Sequence, residues 1–367
     1  MKIMLSGGGT AGHVTPAIAM AEIITERYPD AEVIFVGRSG GDENRAILKK
    51  GYPLSTLEIE GLPRKLGISS AVSLFKAGRA LVKARTLIKR YRPDAVIGTG
   101  GYVSWPILRA ASGMGITTLI HESNAYPGMV TRMLAKRCDA VLLGFKEAEE
   151  HLKRPRRVYV TGNPVTSGFS TIPKQEARRM LGISGSEMLI ISFGGSLGAE
   201  RLNSAIAGSM RKLSGMRYRI THVHATGRRH YDSVCKEFPE LVKKRGTRLV
   251  PYIEEMALWM SAADLAITRS GAMTVAELAA AALPAILIPS PNVTDDHQTK
   301  NASAAVSSGC ALIVPESELC EERITGEILK LYKEPRRLDI MRQKQERGAT
   351  ELTKSRFLEA FNEVYQF

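Results

Sequence analysis

Residues 3–13, IMLSGGGTAGH, place a short apolar run directly before a glycine-rich turn and the start of a helix. Residues 189–199, LIISFGGSLGA, repeat this plan in the second half of the chain. Similar apolar runs, each followed by a longer segment of helical period, recur along the whole sequence. Continuous rather than alternating apolar runs indicate strands that are covered on both faces, as in a parallel sheet. The sequence therefore predicts an α/β protein of two Rossmann-like domains with parallel sheets.

A domain boundary is predicted at Gly162-Asn163-Pro164, after a basic stretch at 153–157. We expect an N-terminal domain over 1–164 and a C-terminal domain over 165–344. Residues 1–164 contain 24 Lys/Arg and 14 Asp/Glu, whereas the remainder contains 27 and 23, so most of the net charge of +14 belongs to the first domain. Ligands of open α/β sheets bind outside the carboxyl ends of the strands, so a site in a cleft between facing domains is expected.

Composition narrows the function classes. With 44% hydrophobic and 24% charged residues among 367, the chain is typical of a globular protein with an apolar core. Its four cysteines form no CxxC pair, which excludes a disulfide scaffold and a zinc ribbon and suits a reducing compartment. No apolar run approaches the roughly 18 residues that a membrane span needs, and the first residues do not form a signal peptide pattern. Any membrane contact is therefore expected to be peripheral.

The first glycine-rich turn satisfies the GxGxxG pattern with Gly7, Gly9 and Gly12. That pattern, between a strand and a helix, is typical of dinucleotide binding. An NAD enzyme would place an acidic residue at the end of the second strand, where this chain has Gly37 and Arg38. Arg38 could bind a 2′-phosphate, so an NADP enzyme remains an alternative. The glycines could also serve only to let helix and strand pack closely.

Polar residues follow other strands of the first domain. His13 lies on the first helical turn, where the helix dipole disfavours the imidazolium and favours a neutral general base. Local capping or packing is the alternative for His13. The loop at 98–104 and the segment His121-Glu122-Ser123-Asn124 each follow a strand, so at least one of their side chains is expected to contact ligand. His121 is either such a contact or a buried, internally bonded histidine.

The second domain offers groups for an anion. Residues 193–199 present backbone amides and a hydroxyl without the GK[ST] of a P-loop nucleotidase. In residues 268–277 Thr274 lies in the first helical turn, and Glu277 one turn later can accept both hydroxyls of a ribose. A favourable acid near a helix N-terminus is the simpler interpretation of Glu277. The adjacent residues 295–297, Asp-Asp-His, cannot converge on one ion, so neither a metal nor another cofactor is predicted.

The stretch from Gly61 to Pro93 contains nine basic residues and no acidic residue. Helical spacing puts Lys76, Arg79, Lys83 and Arg90 on one face, with Leu87 and Val72 projecting on the same side. The residues expected on the opposite, buried face are Leu74, Phe75, Leu81, Val82 and Ile88. A face of cations and exposed apolar groups favours an anionic membrane surface. Nucleic acid is the rival partner, disfavoured because stacking aromatics are scarce, and a simply solvated helix is the third possibility.

Eight segments together resemble one family. In chain order they are GGGTAGHVTP, GTGGYVSWP, HESN, GNPV, FGGSLGA, YIEEM, RSGAMTVAE and DDHQTKNA. They resemble the bacterial UDP-N-acetylglucosamine–N-acetylmuramyl-(pentapeptide) pyrophosphoryl-undecaprenol N-acetylglucosamine transferases, which have the two-domain GT-B fold. The resemblance implies that the C-terminal domain binds UDP-N-acetylglucosamine and that the N-terminal domain binds the lipid acceptor. It also implies that a last helix, about 345–367, packs back on the N-terminal domain.

The resemblance further implies inverting transfer of N-acetylglucosamine to lipid I, giving lipid II for peptidoglycan, without a metal, by a peripheral protein at the cytoplasmic face of the cell membrane. Other GT-B UDP-sugar transferases would share the nucleotide side. His13 and Glu122 are the candidates for the proton transfer. The residues implied at UDP-N-acetylglucosamine are Thr10, Ala11, Gly12, Asn124, Thr166, Ser196, Ile253, Ala272, Met273, Thr274, Val275, Ala276, Glu277 and Gln298. Of these, Ser196 is implied at the diphosphate, the Ile253 backbone at the uracil, and Gln298 at the sugar hydroxyls.

Two positions depart from the family pattern. Ala11 stands where the family often has glycine, so its backbone must adopt angles that alanine tolerates. Thr166 stands where the pattern leads us to expect an arginine, so that contact is either weaker or supplied by another basic residue.

Overall fold

The computed structural model describes residues 1–59, 68–170, 172–195, 198–345 and 349–365, and of residues 11, 68–76 and 170 it describes the backbone alone. The chain divides into two compact units. The first unit comprises Met1–Ser167 and Thr350–Phe367, and the second comprises Gly168–Ala349.

The described part of the first unit is built on a parallel sheet of seven strands in the order β3-β2-β1-β4-β5-β6-β7. Its strands are β1 (Lys2–Ser6), β2 (Glu32–Arg38), β3 (Leu54–Leu57), β4 (Ala95–Gly98), β5 (Thr117–Glu122), β6 (Ala140–Leu143) and β7 (Val158–Val160). Its helices before the boundary are α1 (Ala11–Arg27), α2 (Asn44–Lys49), α3 (Ile68–Tyr91), α4 (Ser104–Gly113) and α5 (Met129–Leu134). The order 3-2-1-4 creates a switch point between β1 and β4, at which ligands of such sheets bind.

The buried residues of β1 show why this strand is central. Met4 packs into one apolar layer with Val96, whereas Ile3 and Leu5 pack into a second layer on the opposite face. All three β1 side chains are fully buried. A continuous apolar run is therefore required here, because both faces of the strand are covered by helices.

The second unit repeats the plan with six described strands in the order β11-β10-β9-β12-β13-β14. A short strand β8 (Ser167–Ser170) precedes it, and the sheet strands are β9 (Met188–Phe193), β10 (Ile220–Ala225), β11 (Thr247–Val250), β12 (Leu265–Thr268), β13 (Ala285–Leu287) and β14 (Ala311–Ile313). The helices are α6 (Lys174–Leu181), α7 (Glu200–Ser214), α8 (Tyr231–Glu237), α9 (Pro239–Val242), α10 (Met256–Ala262), α11 (Ala272–Ala280), α12 (His297–Ser307), α13 (Glu321–Lys333) and α14 (Pro335–Gln343). Its switch point lies between β9 and β12.

The last helix, α15 (Ala349–Tyr365), returns to the first unit. Phe357 and Phe361 are fully buried in the same apolar layer as Ile3. The Tyr28 hydroxyl donates to the Asn362 Oδ1 atom at 2.6 Å, which fixes α15 against the end of α1. The carboxyl-terminal helix thus completes the core of the unit in which the chain begins.

Candidate active site

At the switch point of the first unit, the start of α1 is bonded to the loop that follows β4. The Thr99 hydroxyl donates to the His13 carbonyl at 2.6 Å, and the His13 Nδ1 atom lies 3.1 Å from the Thr99 carbonyl oxygen. The two turns approach so closely that glycine is needed: a Cβ atom on Gly101, whose φ is +75°, would lie 1.9 Å from the Gly8 carbonyl oxygen.

This contact assigns the tautomer of His13. A carbonyl oxygen can only accept a hydrogen bond, so Nδ1 carries the proton and donates it to Thr99. In a neutral imidazole the lone pair then belongs to Nε2. His13 is half-buried, and its ring is oriented by Thr99 in the way that a general base is commonly oriented by a second group. The contact with Thr99 therefore fixes the orientation of the His13 ring.

The turn that contains GxGxxG already has an anionic partner in the protein itself. The Gly9 amide donates to the Glu43 carboxylate at 2.6 Å, and the Glu43 side chain is only 8% exposed. The Arg38 Nε atom lies 3.8 Å from the same carboxylate oxygen. Glu43 thus occupies an amide that a dinucleotide pyrophosphate would use, and it pairs with the arginine considered for a 2′-phosphate. This arrangement argues against the NADP alternative.

Glu122 is committed to the loop that follows β5. Its Oε1 atom accepts from the Asn124 amide and side chain, both at 3.0 Å. Its Oε2 atom accepts from the Gly128 amide at 2.8 Å and the Thr131 hydroxyl at 2.7 Å. Four hydrogen-bond donors occupy this buried carboxylate. Its contacts position Asn124 and the start of α5, which disfavours a role as the general base.

His121 is fully buried, and burial lowers its pKa to about 4. Its Nε2 atom lies 3.4 Å from the Gly162 carbonyl oxygen, and its Nδ1 atom lies 3.4 Å from the Ser123 hydroxyl. Of the two interpretations open from the sequence, the structure favours a buried, internally bonded histidine.

The second unit has a cavity of about 780 Å³ at its own switch point. The carboxyl ends of β9 and β12 and the first turns of α7 and α11 meet there. Its lining residues are Gly194, Gly195, Gly198, Ala199, Glu200, Arg201, Ser204, Thr268, Arg269, Gly271, Thr274, Ser290, Asn292, Gln298 and Glu316. Two helix N-termini, with their unpaired amides and the positive ends of their dipoles, make this cavity suited to an anion.

Polar side chains in this cavity are held by their neighbours. Arg269 forms a mostly buried ion pair with Glu316 and also donates to the Ile288 and Pro289 carbonyls. The Gln298 Oε1 atom accepts from the Ser290 amide at 2.9 Å, which leaves the Nε2 hydrogens to bind another acceptor. These contacts preorganise the wall of the cavity that faces α11.

The comparisons with known proteins agree over nearly the whole chain. Residues 3–143 match the glycosyltransferase family 28 N-terminal domain, and residues 189–356 match the family 28 C-terminal domain. A UDP-N-acetylglucosamine–N-acetylmuramyl-(pentapeptide) pyrophosphoryl-undecaprenol N-acetylglucosamine transferase of Acetivibrio thermocellus is 41% identical over 93% of this chain and 92% of its own. The enzyme of the same name from Carboxydothermus hydrogenoformans is 41% identical over 92% of this chain and 91% of its own.

The protein belongs to this transferase family. A crystal structure of Acinetobacter baumannii MurG, 27% identical, superimposes with a TM-score of 0.73 and covers 100% of this chain and 99% of that one. The predicted family and the predicted GT-B fold, with one parallel sheet in each unit, are therefore confirmed.

The cavity brings together only some of the residues that the family resemblance implies at the donor. Thr274 and Gln298 line it. The others in the second unit that are described, Ile253, Ala272, Met273, Val275, Ala276 and Glu277, are not among the lining residues. Glu277 is half-buried on α11, and desolvation raises its pKa to about 7. Ser196 lies outside the described residues.

In the first unit, Thr10 and Gly12 are exposed at the start of α1, of which Ala11 is the first residue. Alanine adopts helical backbone angles readily, so the backbone at Ala11 is compatible with alanine where the family often has glycine. Asn124 and Thr166 are half-buried.

The membrane face of α3 needs a correction. Leu87, predicted to project among the cations, is buried with Ala80, Ala84 and Ile88, and Val82, predicted to be buried, is 63% exposed. The buried stripe follows the 80-84-87-88 spacing of the packed helix, which is rotated from the predicted phase. Arg79 and Lys83 are exposed as predicted, whereas the side chain of Lys76 lies outside the described residues.

Sequence reasoning missed Glu43, Thr99 as a partner of His13, and the Arg269–Glu316 pair. Thr99 could have been noticed, because it lies in a glycine-rich loop after a buried strand. No sequence pattern indicated the contact between Glu43 and Gly9, since the two residues are far apart in the sequence. Within the described ranges, no group of three or more His, Cys, Asp or Glu side chains could hold a metal ion. Nor does any helix there have the length and apolar character to cross a membrane.

Proposed function

We propose that this protein transfers N-acetylglucosamine from UDP-N-acetylglucosamine to the 4-hydroxyl of the N-acetylmuramoyl residue of lipid I, giving lipid II and UDP. The observation that carries the proposal is the cavity of the second unit, where two helix N-termini and a glycine turn meet at a switch point. Its volume of about 780 Å³ lies within the range of small-molecule sites. The names of relatives about 40% identical over most of the chain support the substrates.

The donor is held in the second unit. The amides at the starts of α7 and α11 bind the diphosphate, and their dipoles stabilise the charge that develops as UDP leaves. Donors fixed before the reaction lower the barrier more than donors that must reorganise. The Nε2 hydrogens of Gln298 bind a sugar hydroxyl. Glu277 accepts from the ribose hydroxyls once it is ionised, so donor binding strengthens as the pH rises through about 7.

The acceptor is bound by the first unit, where His13 takes the proton from the attacking hydroxyl. Its Nε2 lone pair is the base, and the bond from Nδ1 to Thr99 stabilises the imidazolium that forms. Glu122 holds the Asn124 loop in place. The displacement is direct and inverts the anomeric carbon.

Two measurements test this function. A transfer assay with labelled UDP-N-acetylglucosamine and a short-chain lipid I analogue should form lipid II product and release UDP in equal amounts. A melting experiment should show stabilisation by UDP-N-acetylglucosamine but not by NADPH, because ligand binding to the folded state raises its stability. Stabilisation by NADPH alone would reject the proposal in favour of an oxidoreductase.

The same proposal places the protein peripherally at the cytoplasmic face of the membrane, with no nucleic acid partner. The exposed face of α3 carries Arg79, Lys83, Arg85 and Lys89 around the exposed Val82. Cations beside an exposed apolar side chain suit an anionic lipid surface.

Charge reversal of Lys76, Arg79 and Lys83 should abolish sedimentation with anionic vesicles and leave UDP binding intact. Reversal of the exposed basic run at 243–245 in the second unit is the matched control, because it changes the net charge equally. Equal loss in both variants would mean non-specific attraction. Tight, salt-sensitive binding of the wild type to any DNA duplex would favour the nucleic acid alternative.

A further inference from the structure

Of the two arginines that line the donor cavity, Arg269 has an ion-pair partner and Arg201 has none among the described residues. Its ionisable lining side chains are Glu200, Arg201, Arg269 and Glu316. Arg269 is neutralised by Glu316, and its guanidinium also donates to two carbonyls. This pair therefore has little charge to offer a ligand.

Arg201 differs from Arg269 in its position, its exposure and its contacts. It is the second residue of α7, directly beside the amides at the helix start, and its side chain is exposed. Within the described part of the chain it forms no ion pair. It also lines a second, smaller cavity of about 380 Å³, so its side chain lies between the two cavities. A long, uncommitted arginine at this place can turn to either side without breaking a contact.

We propose that Arg201 binds the diphosphate of the donor, forming charge-assisted hydrogen bonds to its oxygens when the nucleotide enters. The inference rests on the proposed function, because it assumes a nucleoside diphosphate in this cavity. A guanidinium presents several donors in one plane and matches two phosphate oxygens at once. The adjacent Glu200 carboxylate repels the negatively charged diphosphate, whereas the Arg201 guanidinium attracts it.

The opposite signs give a sharp experiment. Binding of UDP and of uridine is measured by calorimetry or NMR titration for the wild type, Arg201→Gln, Glu200→Gln and Arg211→Gln. Arg211 is the matched control: it is an exposed arginine on the same helix that pairs with Glu321 and does not line the donor cavity. Melting temperatures confirm that every variant folds.

Arg201→Gln should raise the dissociation constant of UDP by about fivefold to twentyfold, the range for a partly exposed charge-assisted hydrogen bond. Glu200→Gln should lower the constant by about twofold to threefold, since one repulsive charge is removed. Uridine binding should change in neither variant, and Arg201→Lys should recover part of the loss. Because the contact is ionic, the salt dependence of UDP binding should be weaker in Arg201→Gln than in the wild type.

The outcomes separate the inference from the function on which it rests. If the wild type binds UDP and Arg201→Gln binds it equally well, the assignment of Arg201 is overturned while the proposed function stands. Equal losses in Arg201→Gln and Arg211→Gln would also overturn it, because a general effect of positive charge would then explain the result. Failure of the wild type to bind UDP would reject both proposals.

Discussion

The two glycine-rich turns of the molecule share a sequence plan but differ in what their amides contact. In the first unit the Gly9 amide donates to Glu43, and the turn packs against the loop after β4, as the close approach of Gly8 and Gly101 shows. In the second unit Gly194, Gly195 and Gly198 border an open cavity of about 780 Å³. The first turn is closed by contacts within the protein, whereas the second leaves room for a ligand.

This difference teaches that GxGxxG between a strand and a helix defines a backbone geometry rather than a nucleotide site. The first turn meets the pattern fully, but a carboxylate of the same chain has taken the place of a phosphate. The second turn lacks the lysine of a P-loop, yet its helix N-terminus opens into the larger cavity. The substitutions at or beside one turn should spare the function of the other turn.

The largest effect is expected at His13. His13→Ala should lower the turnover number about 10²-fold to 10⁴-fold at saturating donor, as expected when a positioned base is removed. The dissociation constant of UDP should not change, because the donor is held in the second unit. His151→Ala, at an exposed histidine of the same unit, is the control. Near-normal turnover of His13→Ala would show that His13 is not the base.

A Cβ atom on the second turn, or on the loop that packs against the first turn, should separate binding from turnover. In Gly198→Ala, at a φ of +75°, the new Cβ would lie 2.2 Å from the Thr226 carbonyl oxygen. The turn must shift, and we expect UDP binding to weaken at least about tenfold, in line with the strain of a non-glycine residue at such angles. In Gly101→Ala the clash is with Gly8, so transfer should fall while UDP binding persists.

A second variant in the same turn gives the comparison its control. Gly195 has a φ of +91°, and among the described residues beyond its chain neighbours no atom lies within 4 Å of a Cβ placed on it, so Gly195→Ala adds backbone strain without a clash there. It should weaken UDP binding less than Gly198→Ala does. Equal losses of UDP binding in the two variants would mean that the backbone angle alone, and not the contact with Thr226, is responsible for the loss.

Removal of the internal carboxylate from the first turn should cost stability and create no nucleotide site. Glu43→Ala removes the acceptor of the exposed Gly9 amide and the partner of Arg38, and we expect a loss of about 0.5–1.5 kcal/mol in the free energy of unfolding. UDP binding should be unchanged, and NADPH should still fail to bind. Asp42→Ala is the control, because that neighbouring carboxylate is 94% exposed. Tight NADPH binding by Glu43→Ala would revive the dinucleotide interpretation of the turn.

The sequence predicted the parts of this molecule that depend on local pattern. The run from Ile3 to Leu5 identifies a strand covered on both faces, and the family and fold predicted from eight motifs are confirmed by the relatives. The phase of α3 was wrong, because Val82 and Leu87 both flank the basic residues and only packing against the core decides which is buried. The Gly9–Glu43 contact could not be predicted either, since it joins residues 34 positions apart through the tertiary structure.

Both units contain buried histidines whose pKa values are lowered. Burial lowers the pKa of His222 to about 3 and of His224 to about 4 in the second unit, and that of His121 to about 4 in the first. The Ser192 hydroxyl lies between His222 and His224, at 2.8 and 2.9 Å. Because these histidines have lower pKa values folded than unfolded, their stabilising effect is complete above about pH 6.5. It is lost as the pH falls from there toward about 4.

The smallest expected effect is the change in unfolding free energy with pH, to which the buried histidines and Glu277 contribute with opposite signs. Between about pH 7.5 and pH 6 each histidine should lower the unfolding free energy of its unit by on the order of 1 kcal/mol, because the unfolded state takes up the proton. Glu277 acts in the opposite direction: its pKa is raised to about 7, so it takes up a proton in the folded state, which should raise the unfolding free energy over the same interval. The second unit of the wild type should therefore lose less unfolding free energy than the same unit of the Glu277→Gln variant.

The two tryptophans of the chain make the measurement possible, because Trp105 lies in the first unit and Trp259 in the second. Single-tryptophan variants, Trp105→Phe and Trp259→Phe, report the urea unfolding of one unit each by fluorescence. The first unit should lose the same unfolding free energy with or without the Glu277 substitution, since its histidine is His121 alone among the buried ones described. A second unit that responds to pH identically in the wild type and in Glu277→Gln would contradict the raised pKa of that carboxyl, and with it the pH dependence proposed for donor binding.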